Sequence, residues 1–197
     1  MGIEAATARL ACFMTTTMII VGSVRPGRIG LPIAQWVRDR TEAAGHEVDF
    51  VDLAELALPF MDEPAHPSKR QYTQPHTIAW SERVDAADAV VLVSPEYNHS
   101  YSPALKNAID FLAQEWQGKP FGVVSYGGAS GGLRAAAALD QVMTTLGMVR
   151  VPVDVAINGA GGLVVDGTFA ADSKHVETLD RMLAELSRYD EVLRPLR

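Results

Sequence analysis

Glycines, hydroxyls and arginines crowd into Gly22-Ser23-Val24-Arg25-Pro26-Gly27-Arg28-Ile29-Gly30, between an apolar run and a helix-like pattern. Glycines let backbone N–H groups converge, and the start of a helix adds partial positive charge. Ser23 offers a hydroxyl, and Arg25 and Arg28 offer charge-assisted bonds, so the segment reads as a cradle for an anion. It lacks the Gly-Lys-Ser/Thr of a triphosphate loop and the three-glycine dinucleotide fingerprint, which favours a single phosphate. The plainer alternative is a strand-to-helix turn with solvated arginines.

A second segment, Ser94-Pro95-Glu96-Tyr97-Asn98-His99-Ser100-Tyr101-Ser102-Pro103, is stiffened by two prolines and so loses little entropy on holding a ligand. Its backbone and Asn98 suit the polar edge of a planar ring, and Tyr97 or Tyr101 could pack on the ring face. A rigid turn whose tyrosines cover the core fits the same residues. The third segment, Ser125-Tyr126-Gly127-Gly128-Ala129-Ser130-Gly131-Gly132, permits close approach to backbone and contains a rival reading. Gly128-Ala129-Ser130-Gly131-Gly132 satisfies the Gly-x-Ser-x-Gly nucleophile elbow, and Ser130, Asp154 or Asp166, and His175 could be written as a triad. Against it, His175 falls at the start of a helix and no oxyanion motif is apparent.

These segments need a frame that brings them together. Met18 to Val21, Glu47 to Leu53, Ala89 to Val93, Pro120 to Tyr126 and Val149 to Ile157 read as strands. Helical spacing follows Pro32 and then covers roughly Thr77 to Ala87, Ser102 to Ala113, Leu133 to Leu146 and Asp172 to Leu193. Alternating strands and helices predict a parallel sheet covered on both faces, an α/β three-layer sandwich. In such sheets ligands sit beyond the carboxyl ends of the strands, where all three segments fall. Leu58 to Gln74, carrying Pro59, Pro64 and Pro67, is the one long irregular stretch. Gly159-Ala160-Gly161-Gly162 opens like a dinucleotide fingerprint but leads into Leu163-Val164-Val165-Asp166-Gly167 rather than a helix, which favours a turn or hairpin.

The chain has 197 residues, 48% hydrophobic and 21% charged, as a compact folded domain requires. Its 17 basic and 24 acidic side chains give a net charge of -7, with no basic run to overcome repulsion from nucleic acid. No apolar stretch is long enough to span a membrane. One cysteine, Cys12, precludes an internal disulfide and suits the cytoplasm, and the five histidines show no metal-ligand spacing. Residues 1–17 read as a loose N-terminal extension, with Met14 as an alternative start, and residues 18–197 as a single domain. Trp36, Trp80 and Trp116 lie on predicted helices or their ends, where core or subunit contacts are expected.

Taken together, Gly22-Ser23-Val24-Arg25, Pro95-Glu96-Tyr97-Asn98 continuing through Ser102-Pro103-Ala104-Leu105-Lys106-Asn107-Ala108-Ile109-Asp110, and Gly127-Gly128 resemble the NADPH-dependent FMN reductase family. This flavodoxin-like group also holds quinone, azo-dye and chromate reductases. The resemblance covers roughly Met18 to Ile157 and implies a five-stranded parallel sheet of order 2-1-3-4-5. It implies FMN as cofactor, NADPH or NADH as co-substrate, a small-molecule electron acceptor, and a homodimer or homotetramer. Ser23, Arg25 and the backbone from Arg28 through Ile29 to Gly30 would hold the phosphate. Pro95, Glu96, Tyr97 and Asn98 would hold the isoalloxazine edge, mainly through backbone groups, while Ser125, Gly127 and Gly128 belong to the far side. Where many members carry Ser or Asn after the arginine, this chain has Ile29-Gly30. The implied hydride transfer through FMN requires no side-chain acid or base, so no catalytic residue is assigned. A flavodoxin-type electron carrier is the non-enzyme alternative.

Overall fold

The computed structural model describes residues 14–197, so the predicted extension and Cys12 fall mostly outside the described residues. The first strand, β1, spans Thr16–Val21, starting two residues before Met18. It is followed by α1 (Gly30–Ala43), β2 (Glu47–Asp52), the short α2 (Leu53–Leu56), α3 (Pro75–Ala86) and β3 (Ala89–Pro95). Then come α4 (Pro103–Asp110), β4 (Pro120–Tyr126), α5 (Leu133–Thr145), β5 (Val149–Arg150), β6 (Val155–Ile157), β7 (Val164–Val165), β8 (Thr168–Phe169) and α6 (Ser173–Leu193).

The sheet is parallel, in the order β2-β1-β3-β4-β5, with β6 also paired to β4. The predicted fifth strand is therefore two strands on one neighbour. Pro152 has no N–H for the ladder, and the Asp154 carboxylate takes the place of a strand carbonyl by accepting from Val123 N–H at 3.3 Å. Between them the chain bows away from β4 and returns at Val155 opposite Val124.

Period-two alternation divides the core into two layers. Met18, Ile20, Val90, Leu92, Phe121 and Val123 face α3, α4 and α5, whereas Ile19, Val21, Val91, Val93 and Val124 face α1 and α6. This is the anticipated three-layer sandwich. Trp80 and Trp116 are buried in the first layer and pack edge to face at 6.1 Å. Their indole N–H groups donate to Ala108 O at 2.8 Å and Ile109 O at 3.1 Å, relieving the cost of burying them. Trp36 is half-buried against Phe169.

The long segment before α3 is tied down at its middle. Glu63 accepts from the N–H groups of Thr73 and Gln74, acting from a distance as the cap of α3, whose own N-cap residue supplies no side-chain bond. Desolvation pushes the Glu63 carboxyl up, but bonds from the Gln74 and Thr73 N–H groups and the Thr73 hydroxyl outweigh it and hold the group down at about 2. Beyond β6, β7 and β8 form a hairpin whose two turn residues, Asp166 and Gly167, both have positive φ. That fits a tight hairpin turn, in which both central residues are left-handed.

Candidate active site

The order β2-β1-β3 reverses direction between β1 and β3, and a crevice opens beyond their carboxyl ends. The loop after β1 and the loop after β3 flank it and are linked by a hydrogen bond of 2.9 Å between Ser23 Oγ and Tyr97 Oη. The resulting cleft holds about 560 Å³, within the range of cofactor sites. Ser23, Arg25, Arg28, Ile29, Pro95, Glu96, Tyr97, Gly127 and Gly128 all line it, nine of the residues singled out from sequence.

The two arginines of the first loop differ in what they are free to do. Arg28 donates to Ser23 O at 2.9 Å and to the buried carboxylate of Asp52 at 2.5 Å, so its charge braces the loop against the end of β2. Arg25 is exposed and its guanidinium has no partner among the described residues. The N–H groups of Val24, Arg25 and Gly27 likewise donate to nothing among the described residues. Helix α1 starts at Gly30 with no side-chain cap and no acid in its first turn. Converging free donors at an uncapped helix start suit a phosphate.

Gly30, Asn98 and Ser125 do not line the cleft. Gly30 is buried because a side chain there would collide with the Tyr126 ring, so its role is to admit that ring. Asn98 and His99 form the tip of a tight turn, both with positive φ, closed by Tyr97 N–H to Ser100 O at 2.7 Å and Ser100 N–H to Tyr97 O at 3.0 Å. Asn98 tolerates that conformation, and its side chain is exposed. Ser125 is fully buried and donates to Gly131 O at 2.8 Å, which folds the third loop back on itself. The backbone of the second loop also offers less than the sequence suggests. Pro95 has no N–H, Glu96 N–H donates to Tyr126 O at 3.2 Å, and Tyr97 N–H is spent on the turn.

Glu96 turns its side chain to a structural task. Its carboxylate accepts from Arg134 N–H at 3.1 Å, Arg134 Nη1 at 2.9 Å and Ser130 Oγ at 3.1 Å, capping the start of α5. Burial alone would raise this carboxyl, but the Arg134 and Ser130 bonds hold it below its ordinary value. Ser130 therefore has a carboxylate partner rather than an imidazole. His175 bonds Asp172 in the capping box of α6, and Asp154 pairs with Arg150, so the hydrolase triad is not assembled.

Several lining residues were not picked out from sequence: Tyr126, Gly27, Gly159, Gly161 and Gly162. The last three lie in the stretch read as a turn. It reaches the cleft because β6 pairs with β4, after which Gly159 N–H donates to Gly128 O at 2.9 Å and Ala160 N–H to Gly127 O at 3.0 Å. A Cβ added at Gly128, Gly159, Gly161 or Gly162 would meet nothing within 4 Å, so this wall is bare backbone facing open space. Among the described residues no cluster of three or more His, Cys, Asp or Glu could hold a metal, and no helix is long and apolar enough to cross a membrane.

A doubly wound parallel sheet in this strand order, with a cleft at its switch point, defines a flavodoxin-like fold. The comparisons agree. The solved structure of FerB, a flavoenzyme NAD(P)H:(acceptor) oxidoreductase from Paracoccus denitrificans, superposes with a TM-score of 0.74 at 23% identity, covering 91% of this chain and 99% of that one. An NAD(P)H-dependent FMN reductase of Schizosaccharomyces pombe is 37% identical over 180 residues, 88% of this chain and 90% of the relative. An FMN-dependent NADPH-azoreductase of Staphylococcus haemolyticus is 28% identical over 85% of this chain and 90% of its own length. Residues 15–162 match the NADPH-dependent FMN reductase family, and the chain belongs to it. FMN is accordingly its cofactor and NAD(P)H its reductant.

Proposed function

We propose that the cleft holds FMN with its phosphate on the Ser23–Gly30 loop and its ring between the Pro95–Tyr97 loop and the glycine wall, and that the enzyme reduces quinone-type, azo, free-flavin or metal-oxyanion acceptors. The observation that carries this reading is Arg25, without a partner among the described residues, beside backbone donors equally free there, at one end of a cleft whose other end is bare glycine backbone. Bound FMN would supply hydride acceptance from the nicotinamide and delivery of electrons to the acceptor. The chain's contribution is to bind and orient. Arg25 and the Val24, Arg25 and Gly27 amides would neutralise the phosphate, while Arg28, held by Asp52, fixes the loop's shape. Gly128, Gly159, Gly161 and Gly162 leave one side of the cleft without side chains, room enough for a nicotinamide or a flat acceptor to stack in turn. The azoreductase relative supports an acceptor of that shape.

The proposal extends to a single domain over residues 18–197, to a homodimer or homotetramer on the family resemblance, and to the cytoplasm on the single cysteine. An anaerobic titration tests the central claim. Purified protein is titrated with FMN and then mixed with NADPH, and the flavin absorbance band is followed. Saturable binding followed by bleaching, with colour restored by a quinone, is expected. Binding without bleaching would point to an electron carrier, and no binding would refute the assignment of the cleft.

A further inference from the structure

Tyr126 closes β4 with 4% of its surface exposed, and its hydroxyl is buried without a hydrogen-bond partner among the described residues. Native interiors rarely leave such a group unrelieved, because it has given up water for nothing. Its surroundings are specific. Gly30 leaves room for the ring at the start of α1, and the Ser23 and Tyr97 hydroxyls and the Arg28 charge are its polar neighbours. Arg28 donates from Nη1 to Ser23 O and from Nη2 to Asp52. Ser23 Oγ is engaged by Tyr97 Oη at 2.9 Å. That bond uses one of the three places Ser23 Oγ can fill, and Tyr126 is the hydroxyl of the three that meets no partner at hydrogen-bond geometry among the described residues.

A serine hydroxyl has one proton to give and two lone pairs to offer. An oxyanion on the neighbouring free amides would take the Ser23 proton as a hydrogen bond, turning its lone pairs back toward the two tyrosines. We propose that Tyr126 is a positioning residue for the ligand's phosphate: when Ser23 donates to a phosphate oxygen, its lone pairs turn toward the Tyr126 hydroxyl, which then bonds Ser23 Oγ. The relief of the buried hydroxyl is then part of the binding affinity, and it is available to a phosphorylated flavin but not to the same flavin ending in a neutral alcohol. The inference rests on the reading that the phosphate occupies the Ser23–Gly30 loop.

The test compares wild type, Tyr126→Phe, Ser23→Ala and the double variant. It reads apoprotein melting by circular dichroism, and FMN and riboflavin affinity by flavin fluorescence. Tyr126→Phe is expected to melt no lower than wild type, since it deletes an unpaired group. It should weaken FMN about two- to tenfold, the worth of one hydrogen bond, with riboflavin unchanged. In the Ser23→Ala background the Tyr126 effect should vanish, because the two act as one unit. An unchanged ratio of FMN to riboflavin affinity would overturn the inference while leaving the FMN site intact. So would a lower apoprotein melting point with both flavins weakened equally, which would mark the hydroxyl as a fold contact. A wild type that binds neither flavin would overturn the parent reading and this one with it.

Discussion

Arg25 and Arg28 stand three residues apart in one loop, and replacing each by alanine should produce opposite results. The Arg25 guanidinium is exposed and bonded to nothing among the described residues, so Arg25→Ala removes no contact from the apoprotein. Its stability should stay within about 0.5 kcal/mol of wild type, as for surface changes generally. On the proposed reading it would remove a charge-assisted bond to phosphate, worth about 1.5–3 kcal/mol, or roughly a 10- to 150-fold loss of FMN affinity. Arg28→Ala strips the partner from Asp52, whose side chain is 2% exposed. An uncompensated buried carboxylate costs about 3–5 kcal/mol, of which the Ala54 N–H bond to Asp52 recovers only part. At about 2–4 °C per kcal/mol for a chain of this size, the melting point should fall by roughly 6–20 °C. Circular dichroism melts of the apoprotein, with FMN and riboflavin titrations at low and high salt, read both quantities. The Arg25→Ala deficit should be confined to FMN and shrink as salt rises, since the interaction is screened. Wild-type FMN affinity in Arg25→Ala would refute the phosphate clamp. An Arg28→Ala protein that melts normally yet fails to hold FMN would show the two roles to be reversed.

Glu63 supplies an acid-side prediction. Its carboxyl is held at about 2 in the fold against an ordinary 4.5, so its stabilisation is complete above about 4.5 and lost as pH falls toward 2. Glu63→Gln should flatten the melting curve in that window, and identical acid slopes would sink the idea. Gly132 has φ +82°, and a Cβ there would stand 2.7 Å from Tyr126 N and 2.8 Å from Ser125 Cβ, so Gly132→Ala should lower the apoprotein melting point by several degrees. Gly128→Leu, by contrast, extends into open space and should leave melting unchanged while weakening FMN and riboflavin alike. A fluorophosphonate probe should leave Ser130 unmodified, because its neighbour is Glu96 rather than a base that could activate it; stoichiometric labelling would revive the hydrolase reading.

The buried strands were legible because their signal is local. Met18 to Val21 and Ala89 to Val93 are continuous apolar runs, and both proved completely buried. The helices read from Thr77 and Ser102 start at Pro75 and Pro103, within two residues; proline at the first helical position is a local signal that would have placed both. Asp52 is a different case. As the cap of α2 it ends β2 one residue before the predicted Leu53, and an aspartate between apolar residues fits either role in a linear reading. The break in the fifth strand turned on Asp154 meeting Val123, thirty-one residues away.

At the site, residue type and loop position in the sequence pointed to a phosphate-bearing planar ligand beyond β1, β3 and β4, the reading proposed above. Glycine freedom, helix polarity and strand burial are properties of short segments. Which groups remain available to that ligand was decided only by tertiary structure. The β1–β2 register sets Asp52 opposite Val21, which brings its carboxylate to Arg28 and leaves Arg25 without a partner among the described residues. The β4–β6 pairing carries Gly159 to Gly162 into the cleft, and the β3–β4 register sets Tyr126 opposite Pro95, beneath the first loop. A hydrogen bond or ion pair takes its partner from whatever the fold places within about 3 Å, and distance in space is the one quantity a linear pattern does not carry.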